Sequence, residues 1–195
     1  STFKTIAMMA AVDDGKVNID DTLRVWKDGW YYHDATHRDA HPADTVYTMR
    51  QALAVSSNIA LARMITDGYN GSAKKFVNKL KRMGLCDSID YIIPGAHQPR
   101  INVPKDTVTI SRMAYGYSVE LSPLQILTFY NGIANDGRMI SPVLVTEVKD
   151  GKTTVESFET QTIRSSLCSK NTLEDIQASL LDVVWDNDLG TAAMN

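Results

Sequence analysis

The first four residues, Ser1-Thr2-Phe3-Lys4, place a hydroxyl and an amine three positions apart. On a helix this spacing brings two side chains onto one face, so the Ser1 hydroxyl and the Lys4 amine can touch. A serine becomes a good nucleophile when a base takes its proton, and burial that lowers the pKa of a lysine makes it such a base. The pair therefore indicates nucleophilic catalysis, although a helix cap beside a solvated lysine has the same pattern.

A second polar cluster, Ser56-Ser57-Asn58, interrupts two helical patterns. Apolar residues at helical spacing run from Thr48 to Val55 and resume from Ile59 to Ile65. Side chains at such a break can hydrogen-bond outward into a cleft, although a simple helix N-cap is an equally good interpretation of this triplet alone. The triplet is therefore a second candidate polar cluster of the sequence.

The element that must carry Ser1 and Lys4 is the apolar run from Ile6 to Val12, which ends at Asp13-Asp14-Gly15. A helix that is apolar on every face is buried on every face. Its polar groups are all at its start, where a buried helix has to emerge into a cleft. The pattern predicts a short central helix with the candidate chemistry at one end.

The rest of the chain is predicted to be mainly helical with one hairpin. Ser72 to Gly84 has an apolar face opposite its lysines, which predicts a surface helix, and 86–116 is expected to be mostly loop. Ser122-Pro123 is a helix start, with Leu124, Ile126, Leu127, Tyr130 and Ile133 as its inward face. The predicted segments are helix 1–14, an irregular insert 18–46, the Ser-Ser-Asn region 48–68, a helical remainder 72–137, a hairpin 142–159 around Asp150-Gly151, and a last helix 171–186 that begins with an Asn171 and Glu174 capping box.

Composition is that of a soluble globular chain, with 44% hydrophobic and 22% charged residues and a net charge of −3. Lysines and arginines are interspersed with acidic residues along the sequence, which argues against a nucleic-acid partner or a polybasic membrane patch. The two cysteines, Cys86 and Cys168, are too few for a disulfide framework and are expected to be buried small hydrophobes. The sequence has no apolar run of the roughly 18 residues that a membrane span needs.

The order of the two motifs resembles that of the class B penicillin-binding proteins, where S-x-x-K is followed by S-x-N and then K-T-G. Further segments resemble this family in the same order along the chain: Val55 to Ala60, Gly116-Tyr117, Leu121 to Gln125, and Ala134 to Gly137 followed by Ser141-Pro142. The resemblance covers essentially the whole sequence. It implies the helical portion of the α+β transpeptidase fold shared with serine β-lactamases, with most of the central antiparallel sheet outside these residues.

Through this resemblance, Ser1 is expected to be the acyl-accepting nucleophile and Lys4 its base. Ser56 is expected to relay a proton to the leaving amine, and Asn58 to hold the substrate amide and help position Lys4. The implied activity is peptidoglycan D,D-transpeptidation without a cofactor. The implied partners are stem peptides ending in D-Ala-D-Ala, β-lactam antibiotics and proteins of a cell-wall synthesis complex.

The third family motif, K-T-G, is absent from the sequence. The nearest match, Lys152-Thr153-Thr154, precedes the last helix, whereas the family places K-T-G after it. Gly190 to Ala193 is similar to the approach to that motif. We therefore expect a chain that is truncated before K-T-G and inactive alone, from a protein at the periplasmic face of the inner membrane with its anchor outside these residues. Cell division and cell elongation both stay open as its role, with division favoured.

Three other interpretations remain open at this stage. His33, His37 and His41 are four apart and on a helix would align for a metal such as zinc, but Gly29 and Pro42 flank them and disfavour a helix. Ser1 is also compatible with an N-terminal-nucleophile hydrolase. The third interpretation is a non-catalytic binding or scaffold module of the same fold.

Overall fold

The computed structural model describes residues 2–87, 89, 97–186 and 188–193. Within them the elements in chain order are α1 (Phe3–Asp13), β1 (Thr22–Val25), β2 (Trp30–Tyr32), β3 (Ala35–His37), β4 (Thr45–Thr48), α2 (Met49–Ala54), α3 (Asn58–Gly68), α4 (Ala73–Arg82), β5 (Arg100–Ile101), α5 (Thr109–Met113), β6 (Val119–Glu120), α6 (Pro123–Ala134), β7 (Met139–Ile140), β8 (Glu147–Asp150), β9 (Thr153–Ser157), β10 (Thr162–Arg164) and α7 (Lys170–Trp185). The strands of this part of the chain form antiparallel pairs: β1 with β4, β2 with β3, β5 with β6, β7 with β10, and β8 with β9. The predicted mainly helical fold is confirmed.

Helix α1 is the centre of the core. Every residue from Phe3 to Ala11 is buried, and α3, α4 and α7 pack around the helix. The prediction that this apolar helix is buried on all sides is therefore confirmed. Lys4 is the charged residue of this buried stretch, and it lies in the first turn.

Both ends of α1 are held by neighbouring helices. At its start, the Tyr130 hydroxyl of α6 donates to the Thr2 carbonyl oxygen at 2.7 Å. At its end, Lys79 of α4 pairs with Asp13 and lies 3.3 Å from a carboxylate oxygen of Asp14. The prediction that the lysines of α4 face solvent is wrong for Lys79, which is only 6% exposed, because two carboxylates at the end of α1 face it. These contacts fix the position of α1.

The predicted irregular insert contains two small antiparallel pairs. Strand β1 pairs with β4, and the hairpin of β2 and β3 pairs Trp30 with His37. Gly29 precedes this hairpin with φ +104°, and a Cβ there would lie 2.7 Å from the carbonyl oxygen of His37. A glycine is therefore required at position 29 for the two strands to approach.

Other local predictions have mixed outcomes. Ser122 caps α6, as predicted, and forms a capping box with Gln125. Of the predicted inward face, Ile133 is buried, but Leu127 is 63% exposed, and the buried Phe129 was not predicted. Gly132 lies on the buried side of α6, where a Cβ would lie 2.8 Å from the Leu167 side chain.

Two further corrections concern α7 and α5, and the predicted hairpin is confirmed. Ser169, not Asn171, caps α7, since its hydroxyl accepts from the Thr172 amide at 3.3 Å. The segment expected to be loop contains α5, and the hairpin predicted around Asp150-Gly151 is present as β8 and β9. In the part of the chain that the structure describes, no helix is long and apolar enough to cross a membrane.

Candidate active site

Lys4 is a buried lysine whose amine contacts one residue of the second motif. Its Nζ donates to Ser56 Oγ at 2.8 Å and also to the carbonyl oxygen of Ser56. Burial lowers the pKa of Lys4 from 10.5 to about 8, and the negative charge of Asp39 opposes this shift. At pH 7 about one Lys4 in ten is then neutral, against about one in three thousand at the ordinary pKa. The environment therefore makes Lys4 a usable base.

Ser56 lies in the turn that ends α2. The Ser56 amide donates to the Leu53 carbonyl at 3.0 Å and the Ser57 amide donates to the Ala52 carbonyl at 2.9 Å, the two bonds of a Schellman motif. Ser56 has φ +56° and occupies the position that glycine usually takes in this motif. The backbone of Ser56 is therefore strained, and its hydroxyl and carbonyl oxygens both face Lys4.

Replacing Ser56 by glycine and by alanine should separate the hydroxyl from the strain. Both variants lose the hydroxyl, so of its two acceptors at Ser56 the Lys4 amine keeps only the carbonyl oxygen. Glycine adopts a positive φ freely, so Ser56→Gly should be more stable than Ser56→Ala by roughly 1 kcal/mol. Urea denaturation of both variants tests this, and equal stabilities would contradict the strained assignment of Ser56.

Asn58 begins α3, and the start of this helix is capped by two residues. Ser57 accepts from the Ala60 amide at 3.0 Å, and Asp39 accepts from the Asn58 and Ile59 amides at 2.5 and 3.0 Å. The Asn58 side chain donates to the Arg38 carbonyl at 2.8 Å. Asn58 is therefore oriented by the insert.

Of the predicted site residues, the structure brings Lys4 and Ser56 into contact. Asn58 lies two residues after Ser56, in the first turn of α3. Ser1, the predicted nucleophile, lies outside the described residues, so its role stays a prediction.

Sequence reasoning missed the roles of two residues of the insert that support this region. One is Asp39, which no local motif marks because it caps a helix almost twenty residues away. The other is His37, which is 1% exposed, with Nδ1 at 2.8 Å from the Tyr115 hydroxyl and Nε2 at 3.0 Å from Ser111 Oγ. Burial, and then the charge of Arg112, lower the pKa of His37, which favours a neutral ring that joins the insert to α5.

The histidine metal site has no support in the described residues. Both ring nitrogens of His37 are engaged by protein groups. His33 lies in the turn between β2 and β3 with φ +52°, and His41 follows β3 on the surface, so the three histidines share no helix face. No group of three or more His, Cys, Asp or Glu side chains within 2–87, 89, 97–186 and 188–193 could hold a metal ion.

Comparison with known proteins identifies the domain type. A family model described as the penicillin binding protein transpeptidase domain matches residues 1–194. The chain is 26% identical over 147 residues to a Pseudomonas aeruginosa protein named "Probable peptidoglycan D,D-transpeptidase PbpC", which covers 72% of this chain and 24% of that protein. The chain thus spans about a quarter of the length of this curated relative.

Solved structures share the fold. Penicillin-binding protein 2X from Streptococcus thermophilus superposes with a TM-score of 0.82 at 20% identity, over 100% of this chain and 28% of that one. The TP domain of penicillin-binding protein 3 from Burkholderia pseudomallei gives a TM-score of 0.76 at 21% identity, over 97% of this chain and 54% of that one. At these identities the likeness establishes the fold, and the predicted fold class is confirmed.

Proposed function

Because the chain belongs to the penicillin-binding protein transpeptidase domain family, we propose that it contributes the S-x-x-K and S-x-N side of a serine D,D-transpeptidase site. The observation that carries this proposal is the contact of the buried Lys4 amine with Ser56 Oγ at 2.8 Å. A buried lysine with a lowered pKa, beside a serine held in a strained turn, is arranged for proton transfer and has no evident use in packing.

The first half-reaction forms an acyl-enzyme. Neutral Lys4 takes the proton of Ser1, and Ser1 Oγ attacks the carbonyl carbon of the penultimate D-alanine of a stem peptide. The bond from that carbon to the nitrogen of the terminal D-alanine then breaks. Lys4 returns the proton through the Ser56 hydroxyl to the departing nitrogen, so D-alanine leaves with a neutral amine and Lys4 is ready again.

The second half-reaction reverses the proton path. An amine of a neighbouring stem peptide attacks the acyl carbon and passes its proton through Ser56 to Lys4, while Ser1 leaves and regains its proton. Asn58, whose side-chain nitrogen donates to the Arg38 carbonyl, would offer its amide oxygen to the substrate backbone. A β-lactam follows the first half-reaction, but its leaving nitrogen stays tethered, so the adduct on Ser1 persists.

We also propose that the third family motif reaches this site from beyond α7. No Lys-Thr-Gly or Lys-Ser-Gly occurs in the 195 residues. The Thr191 amide donates to the Ala54 carbonyl at 3.1 Å, so the segment after α7 runs beside the end of α2, two residues from Ser56. Without that motif the oxyanion hole lacks one backbone N–H donor. Such a donor stabilises the transition state by roughly 3 kcal/mol, so the 195 residues alone should not turn over substrate.

The setting that fits this reaction is the periplasmic face of the inner membrane, where peptidoglycan is crosslinked. A role in cell division and recruitment by other cell-wall synthesis proteins belong to the same proposal. Fractionation of cells that express the full-length gene product tests whether it is in the inner membrane. Its accessibility to a protease added to the periplasmic side tests which face it occupies.

Release of D-alanine tests the activity. The purified full-length gene product should release D-alanine from a peptide ending in D-Ala-D-Ala and none from a matched peptide ending in D-Ala-L-Ala. It should also become labelled by a fluorescent penicillin. A protein that binds the peptide but neither releases D-alanine nor accepts the label would instead be a non-catalytic module of this fold.

A further inference from the structure

We infer that Asp39 is a positioning residue of the proposed acylation site, because its carboxylate holds the Ser56-Ser57-Asn58 turn and puts a negative charge near Lys4. The inference rests on the proposed function. Asp39 belongs to the insert and precedes the turn by 17 residues, and no family motif considered above includes it.

The carboxylate of Asp39 makes three hydrogen bonds to the turn. Its Oδ2 accepts from Ser57 Oγ at 2.8 Å, and its Oδ1 accepts from the Asn58 and Ile59 amides at 2.5 and 3.0 Å. Ser57 is 1% exposed, so it has little water to replace a lost partner. The first amides of a helix need such acceptors, and a carboxylate at this end also interacts favourably with the helix dipole.

These bonds act on Lys4 through Ser56. Ser56 directly precedes Ser57, and both its hydroxyl and its carbonyl accept from the Lys4 amine. A shift of Ser57 would move both acceptors away from Lys4, and the positive φ of Ser56 gives this turn few alternative positions. Asp39 therefore controls the geometry of the contact between Lys4 and Ser56, although it is not a partner in that contact.

The charge of Asp39 acts on Lys4 directly. Among the described residues, Asp39 supplies the charge that shifts the pKa of Lys4, and it raises that pKa against the larger effect of burial. The same carboxylate thus aligns the proton path and keeps Lys4 from losing its proton too readily.

Asp39 is itself held in place by the insert. It follows β3, whose His37 is hydrogen-bonded on both ring nitrogens to Tyr115 and Ser111. The neighbouring Arg38 carbonyl accepts from the Asn58 side chain at 2.8 Å. This gives the insert a role in the site.

Two substitutions separate charge from geometry. Asp39→Asn keeps an oxygen acceptor for the two backbone amides and removes the charge, whereas Asp39→Ala removes both. The full-length protein and both variants are titrated between pH 6 and 10 for the rate of acylation by a fluorescent penicillin. Ser122→Ala, which removes the cap of α6, is the matched control for the loss of a helix cap. NMR titration of Lys4 in the unacylated protein gives its pKa independently of any reaction.

Asp39→Ala should lower the limiting acylation rate roughly 10- to 100-fold, while Ser122→Ala leaves it unchanged. Asp39→Asn should move the acid limb of the profile, and the Lys4 pKa seen by NMR, to lower pH. An Asp39→Asn profile and NMR titration that superimpose on the wild type would overturn the inference, as would a wild-type limiting rate in folded Asp39→Ala. If the wild-type protein is not acylated at all, the proposed function fails, and the NMR titration alone decides the role of Asp39.

Discussion

Substituting Lys4 by methionine is expected to slow acylation of the full-length protein by a penicillin on the order of 10³-fold. Methionine keeps the length of the side chain but cannot accept a proton from Ser1 or pass one to Ser56. In the wild type the acylation rate should rise about tenfold per pH unit up to the Lys4 pKa of about 8 and then level off. In Lys4→Met the remaining slow acylation should not depend on pH in this way.

The same substitution should change how stability depends on pH. The unfolded chain keeps the Lys4 proton up to about pH 10.5, whereas the folded chain loses it near pH 8, so the unfolded state binds more protons between these values. The free energy of unfolding of the wild type should therefore rise with pH in this window relative to Lys4→Met. At pH 7 the buried ammonium costs the wild type up to about 3 kcal/mol, so Lys4→Met should unfold no more easily than the wild type.

Stopped-flow acylation and urea denaturation at pH 7 and 9.5 measure both effects. Lys16→Met is the matched control, because Lys16 follows α1 and is exposed. It should acylate at the wild-type rate and show the wild-type dependence on pH. A Lys4→Met variant that still acylates within tenfold of the wild type would show that another group is the base.

Of the substitutions proposed, Lys79→Met is expected to lower the free energy of unfolding the most. Lys79 is 6% exposed and pairs with Asp13 and Asp14 at the end of α1, so Lys79→Met leaves two partly buried carboxylates without this partner. Breaking one side of a buried ion pair costs roughly 3–5 kcal/mol, although Arg82 still pairs with Asp14 at 3.0 Å. Lys75→Met, which replaces an exposed lysine on the same helix, should change the free energy of unfolding by less than about 0.5 kcal/mol.

The effect of Lys79→Met should fade at low pH. Burial pushes the pKa of Asp13 upward, but hydrogen bonds from Lys79 and from the Ser169 amide outweigh it, so this pKa lies below its ordinary value. A carboxyl of this kind stabilises the fold above its unfolded pKa near 3.8, and the contribution is lost as pH falls through the folded pKa. Denaturation of the wild type and both variants at pH 7 and at pH 3 tests this. Equal stability of Lys79→Met and Lys75→Met at pH 7 would contradict a stabilising ion pair between Lys79 and the end of α1.

The sequence was sufficient to predict the elements whose signals are local. The uninterrupted apolar run after Lys4 predicted a helix buried on all sides, and Ser122-Pro123 predicted the start of α6. The polar triplet at 56–58 predicted a break between two helices. These predictions succeed because burial of an apolar surface and capping of free amides are decided by neighbouring residues.

Features that depend on distant parts of the chain were missed. Lys79 has the spacing of a surface lysine, and only the packing of α4 against α1 brings it to Asp13. Asp39 and His37 lie in a stretch with no strong periodicity, and their partners are on α3 and α5. The inward face of α6 was assigned only in part, because apolar residues lie on both sides of that helix: Ile133 is buried, whereas Leu127 is exposed.

The most direct test of the proposed mechanism is to locate the adduct. The full-length protein is incubated with a penicillin, its intact mass is measured, and the modified peptide is mapped by tandem mass spectrometry. We expect a mass increase equal to one whole penicillin molecule, carried by Ser1, with no adduct in Ser1→Ala. An adduct on another residue, or an unmodified protein, would contradict the assignment of Ser1 and Lys4 as nucleophile and base.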